Sequence, residues 1–594
     1  MNLKWTAISL IGGFVIAGSG GLSAGSAQTS PASTNSATAA FYHLADDYFD
    51  HVYFKYSPTQ GTLDGFHQYD TTLEDYSRGA IDREVAALKE YEAKFAAVAP
   101  APLDLTAQGD LALVLGNIRG TLLTLQTIRP WEKNPDSYSS GITESAFSLM
   151  ERTFAPPDAR LRSLIAREKQ MPAILNDARQ NLQNPPHIST EIALEQLPGL
   201  IVFFQSDVPQ AFAAARDPGL KAEFARTNAA VIVALQSYQA WLKSDVLPRS
   251  NGDFRIGADT FQKKLEYDEM VDTPLPKLLQ IAYADMRKNQ AEFGRVARAI
   301  DPTKQPRQIL AELDRDHPAP GDLLESFRNT FSGLVQFIQQ KHIVDIPSDV
   351  HPIVEETPPF MRATTVASMD TPGPYEKVAK EAYFNVTLPG PHDSAQQIEG
   401  RMEGFNRGTI ISTAVHEAYP GHYVQFLWLQ QAPSKVRKLL GASSNAEGWA
   451  HYCEQMMLDQ GYGQPGTGAR DQRDARMIRL GQLQDALLRD ARFVVGIQMH
   501  TGAMTFDQAV DFFVQQGYQS PESGLVETKR GTSDPTYLYY TLGKLEILKL
   551  RADLEKKEGA NFSLERFHDD FLKQGFPPIK IVRRALLGDD SPTL

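Results

Sequence analysis

Residues 416 to 422 read His-Glu-Ala-Tyr-Pro-Gly-His, residue types that can hold a metal ion and take a proton from water. In the common zinc-protease arrangement two histidines four residues apart lie on one helix face, with a glutamate beside the first as general base. Here the spacing is six, which on a regular helix turns His422 about 240° away from His416. The intervening Pro420-Gly421 alters that expectation. Proline removes an intrahelical N–H and clashes with the preceding turn, and glycine opens unusual dihedrals, so the helix should bulge there and swing His422 back toward the metal. With 13 histidines among 594 residues, such a pattern arises by chance in roughly one or two of a hundred chains, so a third ligand is required.

Ala446-Glu447-Gly448-Trp449-Ala450-His451-Tyr452-Cys453-Glu454 supplies one. Read as a helix, it places Glu447, His451 and Glu454 at i, i+4 and i+7 on one face. His416, His422 and Glu447 then form a two-histidine, one-glutamate set for a single zinc ion, which leaves a position for water, and Glu417 is the general base. His451 and Glu454 are expected to orient a ligand histidine or the base through hydrogen bonds. The competing structural readings are a solvated helix-start acid at Glu447 and an i, i+3 surface pair at His451 and Glu454. Cys453 points to a different face, and a lone cysteine is usually buried and inert.

The elements that must position these groups are mostly helices. From Ile81 the apolar residues Ile81, Val85, Leu88, Tyr91, Phe95 and Val98 recur at steps of three and four. Thr273-Pro274 reads as an N-cap with proline at the first helical position, opening a run through Leu278, Leu279, Ile281, Ala282 and Met286. Another helix begins near Thr505, with Phe506, Ala509, Val510, Phe512 and Phe513 as its apolar face. Strand signals are local: residues 382–388, stopped by Pro389-Gly390-Pro391, and more weakly residues 364–369. Proline-rich loops around residues 316–320 and 350–360 divide the helical N-terminal part from the region carrying the chemistry.

Composition is that of a large globular protein, 42% apolar and 22% charged. Lys4, an apolar run from Trp5 to about Gly18 and the small residues Gly25-Ser26-Ala27 read as a cleaved export signal over residues 1–27. Residues 28–39 form a flexible lead-in to a single large domain over 40–590, with lobes at 40–345 and 346–590. The product would reside in the periplasm or be secreted. Cys453 is the sole cysteine, so no internal disulfide forms and no thiol near residue 20 can carry a lipid. The net charge of −13 disfavours nucleic acid as a partner. No later stretch approaches 18 uninterrupted apolar residues, so the mature chain is not expected to insert in a membrane.

Two blocks, Ala414-Val415-His416-Glu417-Ala418-Tyr419-Pro420-Gly421-His422 and Glu447-Gly448-Trp449-Ala450-x-Tyr452-x-Glu454, resemble those of the bacterial proteins grouped as domain of unknown function 885, themselves similar to glutamate-ligand zinc peptidases. The resemblance extends to Ser57-Pro58-Thr59, Gly65-Phe66-His67-Gln68-Tyr69-Asp70, and the stretch from Arg530-Gly531-Thr532 to Leu542-Gly543-Lys544. It implies a mainly α, zinc-peptidase-like fold, two lobes around a cleft, with a small β-sheet beside the active site. Two departures stand out: Tyr423 occupies a position where many relatives carry a second histidine, and Gly496 stands where an acidic residue is usual before His500.

Peptide hydrolysis also needs a donor for the developing oxyanion, and Tyr540, Tyr537 and His500 are the candidates in that order. Arg530 has the chemistry to bind a substrate carboxylate. The strand at residues 382–388 could pair with an extended peptide, with Asn385 holding its backbone. Zinc-dependent hydrolysis of short peptides is therefore the expected function. The alternatives are a zinc hydrolase of other amide or ester bonds, and a non-catalytic envelope binding protein.

Overall fold

The computed structural model describes residues 36–358, 361–362, 365–390 and 393–594. The signal at 1–27 and residues 28–35 of the lead-in lie outside the described residues. Residues 36–39, expected to be part of that lead-in, belong to the helix Ser36–Tyr48, whose Phe41, Ala45 and Tyr48 are buried. The chain is mainly α, with one small three-stranded sheet.

The periodic segments fold as their apolar spacing dictates. Arg78–Ala96 is a helix burying Ile81, Leu88, Tyr91 and Phe95, and Ser77 caps it by accepting from the Ala80 N–H. Thr505 caps Phe506–Gln515 in a reciprocal capping box with Gln508, and Ala509 and Phe513 face inward. The helix expected to start at Pro274 runs Leu275–Ile300, with Pro274 itself in the extended N-cap conformation. The long apolar helix Leu105–Leu123 is a core helix, packed against Arg78–Ala96 and Ala258–Glu269.

In the sheet the strand order is β1-β3-β2, with β1 at Ile353–Glu356, β2 at Ala367–Asp370 and β3 at Tyr383–Val386. β1 pairs parallel and β2 antiparallel to β3. β1 lies inside the segment read as a proline-rich loop. Its register aligns Ile353 with Tyr383 and Glu356 with Val386, a long-range pairing that no local pattern announces. β3 has neighbours on both sides, so the strand expected to pair with a peptide has no free edge. Phe384 and Val386 join the core with the helix Leu323–Lys341.

The apolar core does not divide at residue 345. One cluster joins Leu323 through Ile338 to residues up to Val582; another joins Phe261 through Leu313 to Met477 through Leu542. Two helix pairs pack backbone to backbone at glycines. The helices Ser443–Asp459 and Tyr539–Glu558 meet where a Cβ on Gly543 would lie 1.8 Å from the Ser444 carbonyl oxygen, and one on Gly448 2.5 Å from Gly543 Cα. Arg407–Glu417 and Gln472–His500 meet likewise at Gly408 and Gly481. Gly543→Ala must separate the first pair and is expected to destabilise the protein by about 1–3 kcal/mol or more, read as a lower unfolding midpoint. Gly321→Ala, whose added methyl meets nothing within 4 Å, should stay within about 0.5 kcal/mol of the parent. Equal midpoints for the two variants would contradict this close approach.

Candidate metal centre

His416 and Glu417 end the helix Arg407–Glu417, which Asn406 opens by accepting from the N–H groups of Gly408 and Thr409, both at 3.0 Å. The chain then breaks from the helix instead of bulging within it. The Gly421 N–H donates back to the Val415 carbonyl at 3.0 Å, the Tyr419–Pro420 peptide is cis, and the Trp449 indole N–H donates to the Pro420 carbonyl at 2.9 Å. A Cβ on Gly421 would fall 1.8 Å from the His416 carbonyl oxygen, so only glycine lets the chain fold over the helix end. A second helix, His422–Leu429, starts at the next residue. This break brings His422 to His416 and Glu447.

The His416 and His422 rings stand perpendicular with centroids 4.9 Å apart. Oε2 of Glu447 lies 3.3 Å from Nε2 of His416 and 3.4 Å from Nε2 of His422, and the three residues each offer a donor atom within 4.8 Å of the others. All three are buried. Four tetrahedral donors at zinc bond lengths of about 2.0–2.1 Å stand about 3.3–3.4 Å apart, so the set fits that ion. Glu447 Oε2 is buried and makes no well-aligned hydrogen bond, as an oxygen aimed at a cation would. Burial raises the Glu447 pKa, but the two facing imidazoles outweigh it and hold the carboxyl well below the usual range.

Glu454 forms the next layer. It accepts from Nδ1–H of His416 at 2.7 Å, lies 3.1 Å from Nδ1 of His451, and receives the Arg489 guanidinium at 3.1 Å. The carboxylate fixes the His416 ring with Nε2 toward Glu447, the usual role of a carboxylate behind a ligand histidine. Nδ1 of His422 has no such partner. His451 is fully buried and its pKa is pushed down to about 3, chiefly by burial, so its contact is that of a neutral ring. The surface readings of Glu447, His451 and Glu454 fail on this burial. Cys453 is buried outside the triad.

Tyr540 stacks beside His416 with ring centroids 6.2 Å apart. Arg530 donates to its hydroxyl at 3.1 Å, and the guanidinium of Arg492 lies 4.7 Å from its ring centroid. Burial lifts the phenol to about 12 against the lowering effect of Arg530. The phenol is thus neutral, and because its oxygen accepts from Arg530 its own proton is available to an oxyanion. Glu417 is buried beside the triad, and burial raises its pKa above the ordinary value, which suits a base that must release the proton again.

The other candidates sit elsewhere. Tyr537 is fully buried, its ring filling the space above Gly496 and Gly531, so a packed aromatic stands where an acid was expected. Nε2–H of His500 donates to the Gly531 carbonyl at 2.7 Å and burial pushes its pKa down to about 4, leaving no donor for an oxyanion. Asn385 lies on the central strand, 1% exposed, and cannot hold a peptide backbone at an edge. Tyr423 donates to the Val350 carbonyl at 2.6 Å and ties the second helix to the approach to the sheet. Sequence reading missed Arg489 and the bidentate Arg492–Glu527 pair at 2.6 and 2.7 Å; long charged side chains give no periodic signal until their partners are known.

A family model described as "Bacterial protein of unknown function (DUF885)" matches residues 58–586. Two solved structures match over 92% of this chain and 99% of their own. One, a "putative lipoprotein of unknown function" from Shewanella oneidensis, is 26% identical with a TM-score of 0.75. The other, a "putative lipoprotein" from Colwellia psychrerythraea, is 18% identical with a TM-score of 0.77 and shares the fold. No curated protein matches the chain.

In the metal-free protein, burial lowers the His416 pKa but Glu447 and Glu454 on its two nitrogens outweigh it and raise it to about 9. A divalent ion binding at Nε2 must displace that proton. Affinity for zinc is therefore expected to rise about tenfold per pH unit up to about pH 9 and then level off. Titration calorimetry in buffers of different protonation enthalpy measures the released proton. An affinity that does not change with pH would show that His416 is not a ligand.

Proposed function

The chain therefore belongs to the DUF885 family, and we propose that it is a zinc peptidase of the cell envelope that hydrolyses short peptides at the centre formed by His416, His422 and Glu447. The observation that carries this reading is the buried triad at zinc-ligand spacing, with Glu417 next to His416 in the chain and the Tyr540 ring stacked beside His416. An envelope location is supported by the export signal read in residues 1–27 and by the lipoprotein description of both solved relatives.

When bound, the ion supplies Lewis acidity toward a carbonyl oxygen and favours ionisation of water. Glu417 accepts one proton from the attacking water as its oxygen bonds to the carbonyl carbon, then delivers it to the leaving nitrogen as the C–N bond breaks. Tyr540 donates its hydroxyl hydrogen to the oxyanion while Arg530 holds the phenol oxygen in place. Glu454 keeps the His416 ring oriented through the cycle. The closed, largely buried surroundings suit short peptides better than folded proteins.

Three variants separate these roles. Glu417→Gln keeps shape and hydrogen bonding but cannot take the proton, so zinc should stay bound while turnover falls by at least about a hundredfold. His422→Ala should lower zinc content and turnover together. Tyr540→Phe should keep zinc and fold and lose an intermediate factor in turnover. Substrates come from a defined peptide mixture whose products are identified by mass, with zinc content measured alongside. Near-normal turnover in Glu417→Gln would sink the mechanism, and cleavage of esters in preference to every peptide would sink the peptidase assignment.

A further inference from the structure

Arg530 and Asp534 stand four residues apart at the end of the helix Pro521–Ser533, and Tyr539 and Tyr540 open the helix Tyr539–Glu558. Asp534 sits in the turn between the two helices: its N–H donates to the Arg530 carbonyl at 3.0 Å, and its own carbonyl accepts from the Tyr537 N–H at 3.4 Å. Residues four apart share a helix face, so the Asp534 carboxylate lies beside the Arg530 guanidinium. Adjacent residues on a helix point about 100° apart. With the Tyr540 ring stacked beside His416, Tyr539 is turned to a different side.

The four side chains close into a ring. Oδ2 of Asp534 accepts from the Tyr539 hydroxyl at 2.8 Å and lies 3.5 Å from Nη2 of Arg530, and that same nitrogen donates to the Tyr540 hydroxyl at 3.1 Å. A terminal guanidinium nitrogen carries two hydrogens, so one can face Asp534 while the other serves Tyr540. The side chains of Arg530 and Asp534 are 11% and 6% exposed, which leaves water little part in their orientation. Glu527, the other carboxylate whose charge acts on Arg530, is engaged by Arg492 in two bonds at 2.6 and 2.7 Å. Asp534 is therefore the anion that aims Arg530. Burial raises the Tyr539 pKa and the Asp534 charge adds to it, so the Tyr539 hydroxyl stays a donor to the carboxylate.

We propose that Asp534, seated by Tyr539, is a positioning residue that acts on the candidate centre through Arg530 and fixes the direction in which Tyr540 offers its hydroxyl hydrogen. This rests on the role given to Tyr540 in the peptidase reading above.

The test is a double-substitution cycle in the full-length, zinc-loaded protein: parent, Asp534→Asn, Tyr540→Phe and both together, assayed on a peptide that the parent cleaves. Asp534→Asn should lower kcat by at least about tenfold, part of the roughly hundredfold or more lost with an oxyanion donor, and change KM by less than about threefold. In the Tyr540→Phe background the same substitution should change kcat by less than about twofold, because the hydroxyl it acts on is gone. An equal loss in both backgrounds is what a fold defect gives, and it would overturn the proposal. Tyr539→Phe leaves both charges of the Arg530–Asp534 pair in place; it should lower kcat by a smaller factor and carries the cycle if Asp534→Asn does not fold. A second readout needs no turnover. With a ring-fluorinated tyrosine in place of Tyr540, the fluorine resonance should move in Asp534→Asn and in Tyr539→Phe, and an unmoved resonance would overturn the proposal. A chain that shows the moved resonance but cleaves no peptide would retire the peptidase reading and leave the positioning of Tyr540 standing.

Discussion

The backbone contact between Gly448 and Gly543 governs the geometry of the candidate centre. Helices normally pack with axes about 8–10 Å apart, a distance set by the side chains between them. Here no side chain intervenes: a Cβ on Gly448 would lie 2.5 Å from Gly543 Cα, and one on Gly543 2.8 Å from Gly448 Cα. Glu447 precedes one glycine and Tyr540 lies three residues before the other, so the contact delivers a carboxylate and a phenol to the two sides of His416. A methyl group at either glycine would push the helices apart and move both groups together. The Gly408–Gly481 crossing does the same for the His416 helix and the helix of Arg489.

Such tight packing puts charged groups where water cannot reach them, and the surrounding polar network compensates. Glu454, 1% exposed, is met by His416, His451 and Arg489. Lys544 lies one residue past Gly543; it is 1% exposed and bonds Asp285 at 2.9 Å, while Asp490 accepts from Asn289 at 2.7 Å and Thr541 at 3.1 Å. Removing one member of such a pair leaves an uncompensated buried charge, worth about 3–5 kcal/mol of destabilisation. The network therefore fixes one arrangement of the helices that carry the site, and the same burial keeps Tyr540 a neutral donor.

The legible parts of the sequence were those carried by local chemistry. Helical periodicity marked Arg78–Ala96 and Phe506–Gln515, the capping residues marked their starts, and the types and order of His416, His422, Glu447 and Glu454 indicated which groups converge. What escaped depends on contacts between distant segments. β1 looked like loop because four residues beside prolines acquire strand character only from pairing with β3. The same strand order reverses the role expected of Asn385, since a central strand has no edge to offer. Gly448 and Gly543 stood within the blocks that carried the family resemblance, but a helical glycine shows its purpose only once the opposing backbone is known. His500 and Tyr537 were drawn toward catalysis by their chemistry, although both are committed to packing around Gly496 and Gly531.

The six-residue spacing of the histidines has a further structural meaning. When two ligands sit four residues apart on one helix, local backbone geometry sets their separation. Here His416 ends one helix and His422 begins another, so their relation is tertiary. The His422 ring stacks on Phe426 of its own helix at 5.7 Å, that helix is held by Tyr423 to Val350, and the connecting turn is held by Trp449 to Pro420. Trp449 belongs to the same helix as Glu447, so the element that carries Glu447 also fixes the turn that presents His422. The three candidate ligands can come together only when the helix Ser443–Asp459 has docked against both histidine-bearing helices, and the candidate centre is therefore a product of the complete helical packing.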